Sequence, residues 1–388
     1  RVIPAVTDLR RAANLLDRGR NITILAGAGA AGAHDELVAL ADTLAAPIVH
    51  AMRGKDSIEY DNPFDVGMTG LLGFASGYRA MASADTLLML GTDFPYQQFY
   101  PDDAKIIQVD VRGEQLGRRV QLDLGLIGTV KDTAAALNGL VARKKDRGHL
   151  EDAQKHYRKT REKLDELATP SPKGKPLHPQ YVAKLIDEIA SDDAIFIPDV
   201  GSPVIYAARY LTMNGRRRIL GSFSHGSMAN AVPQAIGAQA TFPKRQVITM
   251  SGDGGVSMLL GDLITLVQEK MPVKVVVFNN SSLNFVELEM KAAGFVDFGT
   301  DLVNPDFAKV AEAMGMARRI LVADALGLAP DNSGMSGDQR LDFLLGLALE
   351  EIGDAPRQMR QVAGDNQHRS ILAGPDSDAA ALAGLMHD

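Results

Sequence analysis

The chain has 388 residues with 41 basic and 48 acidic side chains, a net charge of −7. That length allows two domains with sizeable cores, and the charge gives no general attraction for nucleic acid or an anionic membrane. Apolar residues make up 46% and charged residues 23%, as in an ordinary globular protein, and the lack of cysteine excludes disulfides and thiolate chemistry. No apolar run approaches the roughly 20 residues of a membrane span, and no signal-peptide pattern opens the sequence.

In chain order, Asn21–Leu25 is predicted as a strand running into Gly27-Ala-Gly29-Ala-Ala-Gly32, formally G-x-G-x-x-G. A helix with Leu37, Leu40, Ala41 and Leu44 on one face follows, then a strand at Pro47–His50. This is a dinucleotide-binding context. The second strand, however, ends in Val49-His50-Ala51-Met52, without the acid that would hold a ribose. The glycines are therefore expected to serve tight strand–helix packing. Strands follow at Thr86–Leu90 and Lys105–Val109, with Tyr78–Ala84 inside a helix. Asp110 ends the latter strand, placed either to accept from ribose or adenine donors or to fix a turn.

From Ala142 to Lys175 the sequence is charged and poor in β-branched residues, and Pro170, Pro172, Gly174 and Pro176 break regular structure. It reads as an interdomain linker whose first part suits an exposed helix, with charges of both signs at i, i+4 spacing. Interleaved Lys/Arg and Asp/Glu favour a solvated face over a nucleic-acid patch.

The second half opens with a helix that His178 caps, carrying Val182, Leu185, Ile186 and Ile189. A strand at Ala194–Pro198 ends in Asp199-Val-Gly201, a helix spans Val204–Tyr210, and a short strand covers Arg218–Gly221. A helix at Met228–Ala240 leads to the most informative stretch. Val247–Met250 and Val273–Phe278 are apolar throughout, as buried parallel strands are, and Leu259, Leu263, Leu266 and Val267 between them have helical spacing. The strands end in Gly252-Asp253-Gly254 and Asn279-Asn280, which a βαβ unit brings to one carboxyl edge. Gly252, Gly254 and Gly255 let backbone N–H groups approach a phosphate. Asp253 and the Asn280 oxygen are the hard ligands Mg²⁺ takes beside phosphate oxygens. The local reading is a Mg²⁺–diphosphate clamp, against the alternative of two ordinary turns.

Gly252-Asp253-Gly254, then 24 residues, then Asn279-Asn280, resembles the diphosphate motif of thiamine diphosphate (ThDP) enzymes. Gly221–Asn230 (GSFSHGSMAN), Asp199–Gly201 and Met68–Phe74 (MTGLLGF) narrow this to a resemblance to pyruvate oxidases of the quinone-reducing type, over roughly residues 1–320. The resemblance implies an α/β protein of two open parallel-sheet domains with helices on both faces. These would be a Rossmann-like FAD-binding middle domain at 1–141, a linker at 142–176, a ThDP diphosphate-binding domain at 177–320, and a divergent, partly disordered tail at 321–388.

It also implies oxidative decarboxylation of pyruvate to acetate and CO₂ with ThDP, Mg²⁺ and FAD, electrons passing to a quinone or oxygen. Implied ThDP contacts are Gly226, Ser227, Met228, Asp253, Gly254, Gly255, Asn280, Ser281, Ser282, Leu283, Asn284, Phe285 and Val286. Asp253, Asn280 and the Ser282 carbonyl would hold Mg²⁺, Met228 would sit under the thiazolium ring, and Phe285 would lie between thiamine and flavin chemistry in electron transfer. FAD would meet Thr69, Gly70, Leu71, Leu72, Thr92, Asp93, Phe94, Pro95, Tyr96 and Asp110. Arg53 is expected near the flavin or diphosphate, and His225 is a candidate polar contact. A homo-oligomer, a tetramer, in the cytoplasm or peripheral at the inner membrane face is the expected assembly.

The resemblance departs at both ends. The sequence opens on Arg1 about where the middle domain starts, so the pyrimidine-binding domain and its activating glutamate are expected to be missing through truncation or to come from another polypeptide. After Ile320 the helix around Leu341–Ile352 has acidic neighbours, Asp342, Glu350 and Glu351, unlike a membrane-surface helix. Two other readings are a flavin-containing carboligase of the acetohydroxyacid synthase type and a non-catalytic cofactor-binding fragment.

Overall fold

The computed structural model describes residues 1–170 and 177–316, which fall into two units. Unit 1 comprises residues 1–164 and 212–215, and unit 2 residues 165–211 and those from 216 onward. The expected tail at 321–388 and the Pro/Gly part of the expected linker, 171–176, lie outside the described residues.

Unit 1 alternates helices and strands: α1 (Val6–Arg18), β1 (Ile22–Ala26), α2 (His34–Leu44), β2 (Ile48–His50), α3 (Lys55–Ile58), β3 (Asp65–Met68), α4 (Ala75–Ala82), β4 (Thr86–Leu90), β5 (Lys105–Asp110), β6 (Leu124–Ile127), α5 (Val130–Asn138) and α6 (Gly148–Leu167). Its sheet is parallel, in the order β3-β2-β1-β4-β5-β6, so the direction of strand addition reverses between β1 and β4. The central strands are buried residue by residue, which explains their continuous apolar runs.

The segment expected as a linker proves to be mostly α6, and this helix is docked. Leu150, Ala153 and Leu164 are buried, Tyr157 packs against Phe74, and Gln154 donates to Pro63 O at 2.8 Å. Its apolar stripe is too narrow to stand out among the charges.

Unit 2 contains α7 (Pro179–Ile189), β7 (Ile195–Pro198), α8 (Ser202–Tyr210), β8 (Arg218–Ile219), α9 (Ala231–Thr241), β9 (Val247–Gly252), α10 (Asp253–Met258), α11 (Leu263–Gln268), β10 (Lys274–Phe278), α12 (Asn284–Ala292) and α13 (Phe307–Ala313). Its parallel sheet runs β10-β9-β7-β8, and its core joins Ile195 and Ile197 to Val232, Ala235, Leu263 and Leu266.

Three local expectations need correction. His178 occupies the N-cap position of α7, but its side chain makes no capping hydrogen bond. The helix expected from Met228 starts only at Ala231, because Ala229 is held in the left-handed region at φ 61°. The helix expected around Leu259–Val267 is two short helices divided by a 3₁₀ turn at Leu260–Asp262, where Gly261 weakens helical continuity. Among the described residues no helix is long and apolar enough to cross a membrane.

Candidate functional site

In unit 2 the register pairs Phe278 with Gly252, so Asp253 and Asn279-Asn280 emerge side by side from neighbouring parallel strands. Asp253 is only 3% exposed. Its Oδ1 accepts from Gly254 N at 3.0 Å, and its Oδ2 accepts from Ser281 N and from Asn304 Nδ2, both at 2.7 Å. Burial pushes the carboxyl above the ordinary carboxylate range, and these N–H donors only partly offset it. A buried carboxylate surrounded by dipoles rather than cations is what a divalent ion would stabilise.

Asn280 Oδ1 accepts from Ser282 N at 3.1 Å. Ser282 forms an antiparallel bridge with Asp301, flanked by Leu283 N donating to Thr300 O and Leu302 N donating to Ser281 O. In such a pair the intervening residue turns its own N–H and C=O to the other side. The Ser282 carbonyl therefore faces the side on which Asn280 Oδ1 sits. Among the described residues no three His, Cys, Asp or Glu converge as a metal cluster. The donors present here, one carboxylate with amide and backbone oxygens, fit Mg²⁺ completed by ligand oxygens and water.

The glycines after β9 have a concrete steric reason. A Cβ on Gly254 would come 2.7 Å from Leu283 Cδ2 and 3.4 Å from Met228 Cε, so these three residues share one spot. A Cβ on Gly255 would come 1.9 Å from Asp199 Oδ2. Asp199 is 1% exposed, and its Oδ1 accepts from Asn230 N (3.0 Å), Asn230 Nδ2 (2.7 Å) and Val200 N (3.1 Å). Burial raises its carboxyl as well. Asp199 thereby organises the turn that presents Met228. Among the described residues five non-glycine positions have positive φ, and Ala229 and Ser281 of this site are two of them.

The other expected ThDP contacts are arranged less tightly. Gly226 and Ser227 are exposed and tied to Ser222 through its carbonyl and hydroxyl. Asn284 Oδ1 accepts from Ser202 Oγ at 3.0 Å. Phe285 is partly buried in the first turn of α12, and Val286 and His225 are exposed.

In unit 1 every expected FAD contact lies at or just beyond a strand's carboxyl end. Thr69–Leu72 follow β3, Thr92–Tyr96 follow β4, and Asp110 closes β5. Two of these loops touch: a Cβ on Gly70 (φ 96°) would meet Phe94 Cε2 at 3.1 Å and Tyr96 Cδ2 at 3.5 Å. Thr69 is 3% exposed and its hydroxyl has no hydrogen-bond partner. An orphaned buried hydroxyl beside two glycine- and aromatic-bearing loops fits a bound polar group. Asp93 pairs with Arg118 and Arg119, Pro95 is exposed, and Asp110 Oδ1 accepts from Arg112 N at 2.8 Å, the geometry of a turn aspartate. Arg53 is exposed.

The G-x-G-x-x-G stretch is used for packing. Gly29 N donates to Gly91 O at 2.9 Å, and a Cβ on Gly29 would come 2.7 Å from Gly91 Cα. The loops after β1 and β4 thus close on each other at the point where strand order reverses. Gly27 and Gly29 serve this loop–loop contact rather than the expected strand–helix one, while a Cβ on Gly32 (φ 76°) would meet nothing within 4 Å.

Sequence reasoning missed Asn304, Thr300–Leu302 and the anchoring by Asp199 and Asn230. Val303-Asn304-Pro305-Asp306 carries only the signal of a turn before a helix.

Residues 9–137 match the family "Thiamine pyrophosphate enzyme, central domain", and residues 199–331 match "Thiamine pyrophosphate enzyme, C-terminal TPP binding domain". The chain belongs to the thiamine pyrophosphate enzyme family through these two domains. It is 36% identical over 330 residues to the putative thiamine pyrophosphate-containing protein YdaP of Bacillus subtilis, covering 84% of this chain and 56% of that one. It is 28% identical over 317 residues to a pyruvate oxidase of Lactiplantibacillus plantarum (81% and 52%). It is 29% identical over 343 residues to a probable acetolactate synthase large subunit of Methanocaldococcus jannaschii (82% and 56%). The chain spans about half the length of the curated relatives it matches.

Proposed function

We propose that this chain is the cofactor-binding part of a ThDP-, Mg²⁺- and FAD-dependent enzyme that converts pyruvate to acetate and CO₂. Water supplies the acetate oxygen, and two electrons and two protons leave to a quinone or to oxygen. The reading rests on the junction of β9 and β10, where buried Asp253 meets the Asn280–Ser282 turn. When bound, ThDP supplies the carbon nucleophile that releases CO₂ from a 2-oxo acid, and FAD takes up the electrons.

The chain's own residues position and enclose. Asp253, Asn280 and the Ser282 carbonyl hold the metal, Met228 and Leu283 wall the space over Gly254, and Thr69 with the Phe94–Tyr96 loop receives the flavin. We extend the proposal to a homo-oligomeric assembly.

A carboligase making acetolactate is the second reading, favoured by acetolactate synthase relatives as similar to this chain as the pyruvate oxidase is. Incubation of the complete enzyme to which this chain belongs with pyruvate, ThDP, Mg²⁺, FAD and a quinone-like dye separates the two. Acetate with dye reduction is expected; acetolactate without dye reduction supports the second reading, and neither product contradicts both.

A further inference from the structure

Asn304 is 51 positions from Asp253 and 25 from Asn279, yet its side-chain amide meets both. Nδ2 lies 2.7 Å from Asp253 Oδ2 and 2.8 Å from Asn279 Oδ1. An NH₂ group has two hydrogens, and here one goes to each half of the clamp. From these contacts we propose that Asn304 is a positioning residue for the divalent cation: it locks the ends of β9 and β10 together and fixes which oxygen of Asp253 remains for the metal. The inference rests on the Mg²⁺–ThDP reading above.

The backbone around Asn304 is arranged for this. Upstream, Leu283 N donates to Thr300 O at 2.8 Å and Leu302 N to Ser281 O at 2.9 Å, so the segment runs antiparallel along the turn. Downstream, Pro305 disfavours the helical region for Asn304. Asp306 then caps α13 by accepting from Lys309 N at 3.0 Å. Asn304 is thus held from both sides, with little freedom to point elsewhere.

The consequence for Asp253 is an asymmetry between its oxygens. Oδ2 accepts from both Ser281 N and Asn304 Nδ2, whereas Oδ1 accepts from the adjacent Gly254 N. Oδ1 is therefore the less engaged oxygen, already oriented before a cation arrives. Because the donor is a neutral amide, it orients the carboxylate without competing with the cation for its charge. Partners of this kind behind a metal ligand typically change metal affinity by about 10–100-fold when removed.

The test is calorimetric titration of ThDP into the whole chain at a series of Mg²⁺ concentrations, for the native protein, Asn304→Leu and Asn304→Ser. The Mg²⁺ concentration giving half-maximal ThDP uptake should rise about tenfold or more in both variants. ThDP affinity should return close to native at saturating Mg²⁺, which a merely structural defect would not permit. If Asn304→Leu fails to fold, Asn304→Ser decides. Mg²⁺ dependence in the variants equal to native overturns the role of Asn304. A native protein that takes up no ThDP at any Mg²⁺ concentration instead overturns the reading beneath it.

Discussion

Ser281 donates its backbone N–H to Asp253 Oδ2 across 2.7 Å, and does so from the left-handed region at φ 58°. One hydrogen bond thus ties the turn after β10 to the carboxylate after β9. A β-branched side chain disfavours that backbone. Ser281→Val should cost about 1–3 kcal/mol in chemical denaturation, whereas Ser281→Gly should stay within about 1 kcal/mol of native. Equal costs would show that the φ value is not under strain.

Gly255 and Gly237 form a matched pair for the steric argument. Asp199 Oδ2 occupies the place of a Cβ on Gly255, while nothing lies within 4 Å of one on Gly237 in the middle of α9. Gly255→Ala should destabilise by about 1–3 kcal/mol, and Gly237→Ala should stabilise by about 0.5–1 kcal/mol. Denaturant midpoints of the two variants check both signs.

Thr69 tests the flavin shelf. Replacing an unpartnered buried hydroxyl by a methyl of similar shape relieves a desolvation cost. Thr69→Val should leave the flavin-free protein as stable as native, or more so, and weaken FAD binding in a fluorescence-quenching titration of the flavin. Unchanged FAD affinity would remove Thr69 from the site.

His149 at the start of α6 sets a pH dependence. Thr23 Oγ1 donates to Ala80 O at 2.7 Å, so the 2.9 Å contact with His149 Nε2 requires the histidine to donate. Burial lowers the His149 pKa, opposed by nearby Asp85 and Asp152. With the folded value below the unfolded one of about 6.5, the unfolded chain takes up a proton first as pH falls. Stability should be fully present above that value and decline below it. Thermal unfolding of the native protein between pH 7.5 and 5 should show this decline, and His149→Gln should flatten it. Equal slopes would exclude His149 as the source.

Much of this fold was readable because buried parallel strands leave continuous apolar runs. Thr86–Leu90 matches its observed strand, and Val247–Met250 and Val273–Phe278 lie within two residues of theirs. Asp253 and Asn280 were legible because a βαβ unit forces both strand ends to one edge. Asn304 was not, since its role depends on a chain reversal through Thr300–Leu302 that no local pattern encodes. The strand Asp65–Met68 was missed because it is short and carries Gly67 at φ 92°. The helix in the expected linker was legible from its i, i+4 charges, but its docking was not, because only Leu150, Ala153 and Leu164 of the 20 residues of α6 are buried. The early end of the Met228 helix prediction failed through Ala229, whose left-handed backbone follows from the distant Asp199.

The central claim is that one divalent cation joins Asp253 and the Asn280–Ser282 turn to a diphosphate. Crystals grown with ThDP and Mn²⁺ in place of Mg²⁺ test it directly through the anomalous signal of manganese. A single peak within coordination distance of Asp253, Asn280 Oδ1 and the Ser282 carbonyl, beside diphosphate density, is predicted. Bound ThDP with no metal peak there, or with the peak on other residues, would contradict the account.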